Sequence, residues 1–153
     1  MNPSVHQHKQ ALDALFEKID AVDDLELQGQ WARYLCVRTS GFIEEAVRII
    51  LSEYADKRAG DAVARYVAAR LDRFTTANKN NIGEELTRFN PEWATRFNTH
   101  VVDNLQGSLN SVISNRHRIA HGRDVGLSYA RMKDYYEDVV EVVALLDDIC
   151  DGD

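Results

Sequence analysis

The apolar positions of the chain recur at spacings of three and four residues, and they never alternate strictly with polar positions over five or more residues. A period between three and four is typical of amphipathic helices, whereas half-buried strands need a period of two. The pattern therefore predicts an all-α protein. We interpret residues 1–153 as one domain, an up-and-down helical bundle with extra short helices, because no internal repeat or Gly/Ser/Pro-rich linker interrupts the pattern.

Capping residues and turn residues divide this pattern into seven helices. The first is predicted over about 4–22 and the second, which is the longest, over about 25–57. Pro91 marks a further helix start. Proline is favoured at the first helical position because a backbone N–H there would have no partner within the helix. The predicted starts are Ser4, Asp23, Asp61, Asn81, Asn90-Pro91, Val101 and Ser128.

Fourteen of the predicted core positions lie in the second and third helices. Gly41 falls inside the second helix, where a glycine costs roughly 1 kcal/mol against alanine. Close approach of another helix would explain it. The predicted buried positions are Leu27, Trp31, Tyr34, Leu35, Phe42, Ala46, Ile49, Ile50 and Tyr54 in the second helix, and Val63, Tyr66, Val67, Leu71 and Phe74 in the third.

Composition narrows the class of protein. With 44% apolar and 28% charged residues the chain is expected to fold, and the apolar runs are too short to span a bilayer. The N-terminus lacks an apolar signal core, so we expect a cytoplasmic protein with no membrane association. Cys36 and Cys150 are expected to be buried free thiols. A formal net charge of -7 opposes general binding to nucleic acid, so any such contact must be local.

One stretch departs from this acidic background. Residues 114–123 contain five Arg or His residues and no acidic one. Histidine transfers protons near neutral pH, and arginine binds oxyanions through its forked guanidinium. Basic residues that favour a helix C-terminus, or a simple basic surface patch, would explain the same stretch without chemistry.

The spacing within this stretch points to a second chain. His117 and His121 are four apart and share a helix face, but Arg116 and His121 are five apart, roughly 140° around the axis. Arg116 also continues a buried row and would need partners there. Either the backbone turns at Gly122, or a second copy completes the site across a two-fold axis.

A cleft of this kind suits cleavage of RNA. A histidine can take the proton of the 2′-hydroxyl or return one to the leaving 5′-oxygen, while Arg116 binds the phosphate. The chain has no His-Glu-x-x-His or Glu-x-x-His motif beside the histidines, so we expect no metal and no cofactor.

The residues also resemble a known family. Arg116-His117-x-Ile119-Ala120-His121-Gly122 resembles the signature of the HEPN superfamily, an arginine, usually with a polar residue after it, and a histidine a few positions on. The pattern Trp31-x-x-Tyr34-Leu35 through Gly41-Phe42-Ile43-Glu44 resembles the second helix of the RiboL-PSP-HEPN family. The spaced apolar residues between 74 and 97 and the last helix with Tyr135-Tyr136 do so too. The resemblance covers about residues 27–146.

This resemblance implies a helical bundle that dimerises through the face carrying the motif. It also implies a metal-independent endoribonuclease in toxin–antitoxin, phage-defence or RNA-processing settings, with an antitoxin or regulatory protein as a further partner. We expect single-stranded RNA as its substrate, because the attacking 2′-oxygen must move in line with the leaving group. The family's catalytic positions correspond to Arg116 and His121. His117 stands where Asn or Asp is usual, and it is either a second acid/base group or an orienting residue.

Other residues are candidates for supporting roles. Asn115, Arg118 and Arg123 are candidates for RNA contact, although the two arginines are expected on faces other than that of Arg116. Arg38 and Glu44 match the family pattern and would either support the active site or brace Gly41. A non-catalytic HEPN-like dimerisation or partner-binding module is the alternative function. A nucleotide-binding domain is less favoured, because no Gly-rich phosphate loop occurs.

Overall fold

The computed structural model describes residues 1–152, which form seven α-helices and no strand. This confirms the predicted all-α class. The second helix is the longest, with 34 residues and a length of about 50 Å. The helices are α1 Pro3–Asp20, α2 Leu25–Arg58, α3 Asp61–Leu71, α4 Lys79–Phe89, α5 Pro91–His100, α6 Asp103–Ala120 and α7 Tyr129–Asp151.

Four long helices, α1, α2, α6 and α7, form an up-and-down bundle. α1 runs against α7, because the Tyr129 hydroxyl donates to the Phe16 carbonyl while the Asn2 N–H donates to Asp147 at the opposite end. α6 runs against α2, and the Cys36 thiol lies 3.4 Å from the Val112 carbonyl oxygen. Consequently the start of α2 and the end of α6 lie at the same end of the bundle.

The three short helices between α2 and α6 close one side of the bundle. α3 packs on α2, while α4 and α5 pack together and against α6 and α7. Tyr54, Phe89 and Trp93 form an aromatic cluster, with the Tyr54 and Trp93 ring centroids 4.7 Å apart. The predicted restart at Asn90-Pro91 is confirmed, since Asn90 caps α5 and accepts from the Glu92 N–H.

Several predicted core positions are wrong. Leu27, Trp31 and Tyr34 are 42%, 38% and 42% exposed, and Val63 and Tyr66 are 57% and 72% exposed. Each lies on a regular helical stripe, but no neighbouring helix covers these parts of the helix surface. Helical periodicity identifies a face and does not determine what packs against it.

Three predicted caps are also wrong by one to three residues. Asn2 rather than Ser4 caps α1, Asp24 rather than Asp23 caps α2, and Asn78 rather than Asn81 caps α4. Polar residues that lie close together in the chain are often equally good caps, and tertiary contacts then decide which one caps the helix. Asn2, for instance, also donates to the Glu53 carboxylate at 2.7 Å. Likewise α6 begins at Asp103 rather than near Val101.

The expected close approach at Gly41 is wrong, because a Cβ built there would meet no atom within 4 Å. Both cysteines are buried and outside any disulfide within residues 1–152, as predicted. Burial raises the pKa of the Cys36 thiol to about 11, so this thiol is protonated at neutral pH and is a packing residue. Within residues 1–152, no helix is both long and apolar enough to cross a membrane.

Candidate active site

The basic stretch forms the last turns of α6 and the turn that ends it. The Gly122 N–H donates to the Ile119 carbonyl at 3.0 Å, and the Arg123 N–H donates to the Arg118 carbonyl at 2.9 Å. Gly122 has φ +68°, the left-handed conformation that this Schellman motif requires. The turn therefore redirects the chain after His121 and brings Arg123 back beside the helix end.

Replacing Gly122 with alanine is expected to lower the free energy of unfolding by about 1 kcal/mol, because a Cβ is unfavourable at positive φ. No atom lies within 4 Å of that Cβ, so the cost is conformational rather than steric. Gly41→Ala is the matched control and is expected to stabilise α2 by about 1 kcal/mol. Urea denaturation followed by circular dichroism measures both, and an unchanged stability of Gly122→Ala would contradict this turn.

Arg116 is exposed, so its expected position in a buried row is wrong. It lines an open groove of about 670 Å³ that is also lined by His117, Arg118 and Arg123. Arg118 and Arg123 are predicted on faces other than that of Arg116, and they nevertheless line the same groove. Within residues 1–152, none of these three guanidinium groups forms a side-chain hydrogen bond or an ion pair. The groove therefore brings together three guanidinium groups that have no ion-pair partner in the described part of the chain.

The two histidines lie against each other at the edge of this groove. Their ring centroids are 4.4 Å apart and the ring planes are inclined by 69°. His117 lines the groove, whereas His121, the C-cap of α6, does not. Two groups capable of proton transfer are thus adjacent, and of the pair Arg116 and His121 only Arg116 lines this groove.

The helix end and an ion pair hold this region in place. Carbonyl groups at the C-terminus of α6 carry partial negative charge, which favours His117 and Arg118 in the last turn. Asp124 accepts from Arg33 of α2 at 2.5 Å, and both side chains are largely exposed. Asp124, the first acidic residue after the basic stretch, is therefore paired with α2. It does not pair with the three arginines of that stretch.

The structure places the candidates for supporting roles, Glu44, Arg38 and Asn115, in different surroundings. Glu44 lines the groove, and its carboxylate accepts from the Thr76 N–H at 3.1 Å. Arg38 lies in a different groove with Gly41 and donates to the Tyr34 hydroxyl at 2.8 Å. Asn115 is half-buried and does not line the groove of Arg116. Glu44 alone of the two family-pattern residues is therefore placed to act with the basic groups.

Two features of this region escaped sequence reasoning. The first is the exposed apolar face of α2, formed by Leu27, Trp31 and Tyr34 beside the paired Arg33, which we call the α2 apolar face. The second is the set of polar groups in the groove from the loop 72–78 and from α6. The spacing of Leu27, Trp31 and Tyr34 signalled one helical face but not its exposure. No sequence pattern indicated that the loop 72–78 lies close to the Arg116–His121 motif.

Comparison with known proteins identifies a family for the chain. The model of the RiboL-PSP-HEPN family matches residues 7–152, a longer span than the residues 27–146 that carry the resemblance in the sequence. No curated protein and no solved structure matches the chain. Because the match covers nearly the whole chain and includes the Arg116–His121 motif, the chain belongs to the RiboL-PSP-HEPN family.

Proposed function

We propose that this protein is a metal-independent endoribonuclease that cleaves single-stranded RNA at a site completed by a second copy of the chain. The observation that carries the proposal is the groove of Arg116, where three guanidinium groups without ion-pair partners and one histidine meet in a chain of net charge -7. Positive charge placed so locally favours a phosphate ligand. Membership of the RiboL-PSP-HEPN family supports this interpretation.

The proposed reaction uses only side chains of the motif. One imidazole takes the proton of the 2′-hydroxyl, whose oxygen attacks the adjacent phosphorus. The bond to the 5′-oxygen breaks, and a protonated imidazole gives that oxygen a proton. Arg116 stabilises the charge on the phosphoryl oxygens as it develops. The products are a 2′,3′-cyclic phosphate and a 5′-hydroxyl, and flexible RNA is favoured because the attacking oxygen must move in line with the leaving oxygen.

The direct test is cleavage of an end-labelled single-stranded RNA by the purified protein in excess EDTA, with the same sequence as a duplex for comparison. We expect cleavage of the single strand, much slower cleavage of the duplex, and cyclic phosphate ends. Strict dependence on added divalent metal, or 5′-phosphate products, would contradict the proposal. So would an intact RNA at high protein concentration.

The α2 apolar face supports the proposed homodimer. Three large apolar side chains on one helical stripe are exposed, and the Trp31 and Tyr34 ring centroids lie 5.6 Å apart in an edge-to-face pair. Aromatic residues of this kind are enriched at the centres of protein interfaces. The Arg33–Asp124 ion pair joins this part of α2 to the turn after the motif. A second copy docked on this face would therefore lie near the turn that follows the motif.

Trp31→Glu is expected to weaken the homodimer about 30-fold or more, because it places a charge at a centre of apolar contact. RNA cleavage should fall with the dimer fraction. Sedimentation velocity over a range of concentrations measures the first effect, and the cleavage assay measures the second. Tyr66→Glu, on the exposed face of α3, is the control and should change neither. A monomeric Trp31→Glu protein with full activity would contradict a shared site.

A non-catalytic dimerisation module is the second candidate, and the same α2 apolar face favours it. In that case the basic groups near the two-fold axis would satisfy each other or bind a partner. Arg116→Ala would then weaken the dimer in sedimentation measurements, and the purified protein would leave RNA intact. The nuclease proposal predicts the reverse, an unchanged dimer and a loss of cleavage.

A further inference from the structure

The groove of Arg116 continues away from the motif into a region of uncharged and acidic hydrogen-bonding groups. Ser40 and Glu44 of α2, Asn78 before α4 and Asn110 of α6 line it together with Arg116. Its volume of about 670 Å³ lies within the range of small-molecule sites. A phosphate bound by Arg116 would therefore leave its own nucleoside beside these groups.

Two of the amides have a fixed orientation. The Asn110 side-chain oxygen accepts from the Lys79 N–H at 3.0 Å, and the Asn78 side-chain oxygen accepts from the Asn81 N–H at 2.8 Å. Because a backbone N–H can only donate, each oxygen must face the backbone, and each Nδ2 must face away from it. Neither Nδ2 has a hydrogen-bond partner within residues 1–152. The groove thus holds two oriented donors that are unused.

Glu44 supplies the complementary acceptor. One of its oxygens accepts from the Thr76 N–H, which holds Thr76 at φ +56° and positions the loop. The other oxygen has no hydrogen-bond partner in the described part of the chain, and no basic side chain there lies within 4 Å of the carboxylate. The carboxylate therefore keeps its capacity to accept while its position is fixed.

Ser40 adds a hydroxyl group to one wall of the groove. The residue is only 1% exposed, it lines the groove, and its hydroxyl forms no hydrogen bond within residues 1–152. The hydroxyl is therefore a further group at the groove wall that can donate or accept a hydrogen bond. Hydrogen-bond donors and an acceptor without protein partners within residues 1–152 therefore line both walls of the groove.

We propose that this part of the groove is a base-recognition subsite that selects guanine in the nucleotide whose phosphate binds Arg116. Guanine alone among the four bases presents two adjacent N–H donors, at N1 and N2, which match the Glu44 carboxylate. Its O6 accepts from an amide Nδ2 of Asn110 or Asn78. Adenine would bring its N1 acceptor against the carboxylate, and cytosine its N3. Single-stranded bases are recognised on this edge because it is unpaired.

The subsite rests on the proposed function for its phosphate, but binding tests it without cleavage. The probes are the 3′-monophosphates of guanosine, inosine, adenosine, cytidine and uridine, titrated into the full-length protein and followed by calorimetry or amide chemical shifts. Guanosine monophosphate is expected to bind about 10- to 100-fold more tightly than the adenosine, cytidine or uridine nucleotides. Inosine, which lacks the N2 amino group, should be intermediate.

Two variants probe opposite walls. Glu44→Gln keeps an oxygen for the Thr76 N–H and turns the free acceptor into a donor, so guanosine monophosphate should bind at least about tenfold more weakly. Asn110→Asp keeps the oxygen for Lys79 and removes the free donor, with a similar expected loss. Glu45→Gln is the matched control, since Glu45 lies in another groove and pairs with Arg48 at 3.3 Å.

The outcomes separate this inference from the nuclease proposal. Equal binding of all five nucleotides, or an unchanged guanosine preference in both variants, overturns the subsite. Cleavage of RNA without regard to base also overturns it, yet leaves the nuclease standing. Selective binding of guanosine monophosphate by a protein that cleaves no RNA would support the subsite and contradict the nuclease proposal.

Discussion

Arg116→Ala is expected to lower the rate of RNA cleavage by roughly 10²–10³-fold, as does removal of other preorganised groups that stabilise a transition-state charge. Thermal unfolding should be unchanged, because the side chain is exposed and forms no hydrogen bond or ion pair with the rest of residues 1–152. His121→Ala is expected to lower the rate by about 10²–10⁴-fold through loss of a proton-transfer group.

Arg118→Ala is the matched control, since it removes a guanidinium from the same groove. It is expected to weaken RNA binding only modestly and to reduce the salt dependence of binding. Single-turnover kinetics at two salt concentrations separate the two effects. Equal losses in Arg116→Ala and Arg118→Ala would contradict a specific role for Arg116 and would indicate a general basic patch.

Arg116→Ala and His121→Ala together test whether the site is shared between copies. Neither variant is active alone, but a mixture allowed to exchange subunits contains dimers with Arg116 from one chain and His121 from the other. About a quarter of the wild-type activity should return, because half the dimers are mixed and each has one complete site. No recovery after verified exchange would place Arg116 and His121 of one chain in the same site.

Trp93→Ala is expected to lower the free energy of unfolding by about 3–5 kcal/mol, the range for removing a large buried aromatic side chain. Trp93 is 1% exposed and contacts the Tyr54 and Phe89 rings. For a chain of this length the melting temperature should fall on the order of 10 °C. The cavity would lie among α2, α4 and α5, far along α2 from its N-terminal apolar face.

Tyr66→Ala is the control for this variant, because Tyr66 is 72% exposed on α3. Its effect should stay within about 0.5 kcal/mol. Differential scanning calorimetry of the two proteins at one concentration makes the comparison, since a dimer's melting temperature depends on concentration. Equal melting temperatures would show that α4 and α5 contribute little to the stability of the bundle.

The amino-acid sequence by itself determined the helical class, the approximate bounds of the helices and the identity of the motif. Each of these depends on local signals: the helical period, a cap such as Asn90 or Ser128, and the Arg116–His121 spacing. The spacing further predicted that Arg116 and His121 would not converge within one regular helix.

Only the tertiary structure decided which apolar faces are covered and which polar groups meet. Leu27, Trp31 and Tyr34 have the same period as the buried part of α2, but no other helix extends over them. Glu44 and Asn110 lie far apart in the chain and line one groove because α6 packs against α2. Periodicity describes one helix at a time, whereas exposure and the lining of a groove depend on the packing between helices.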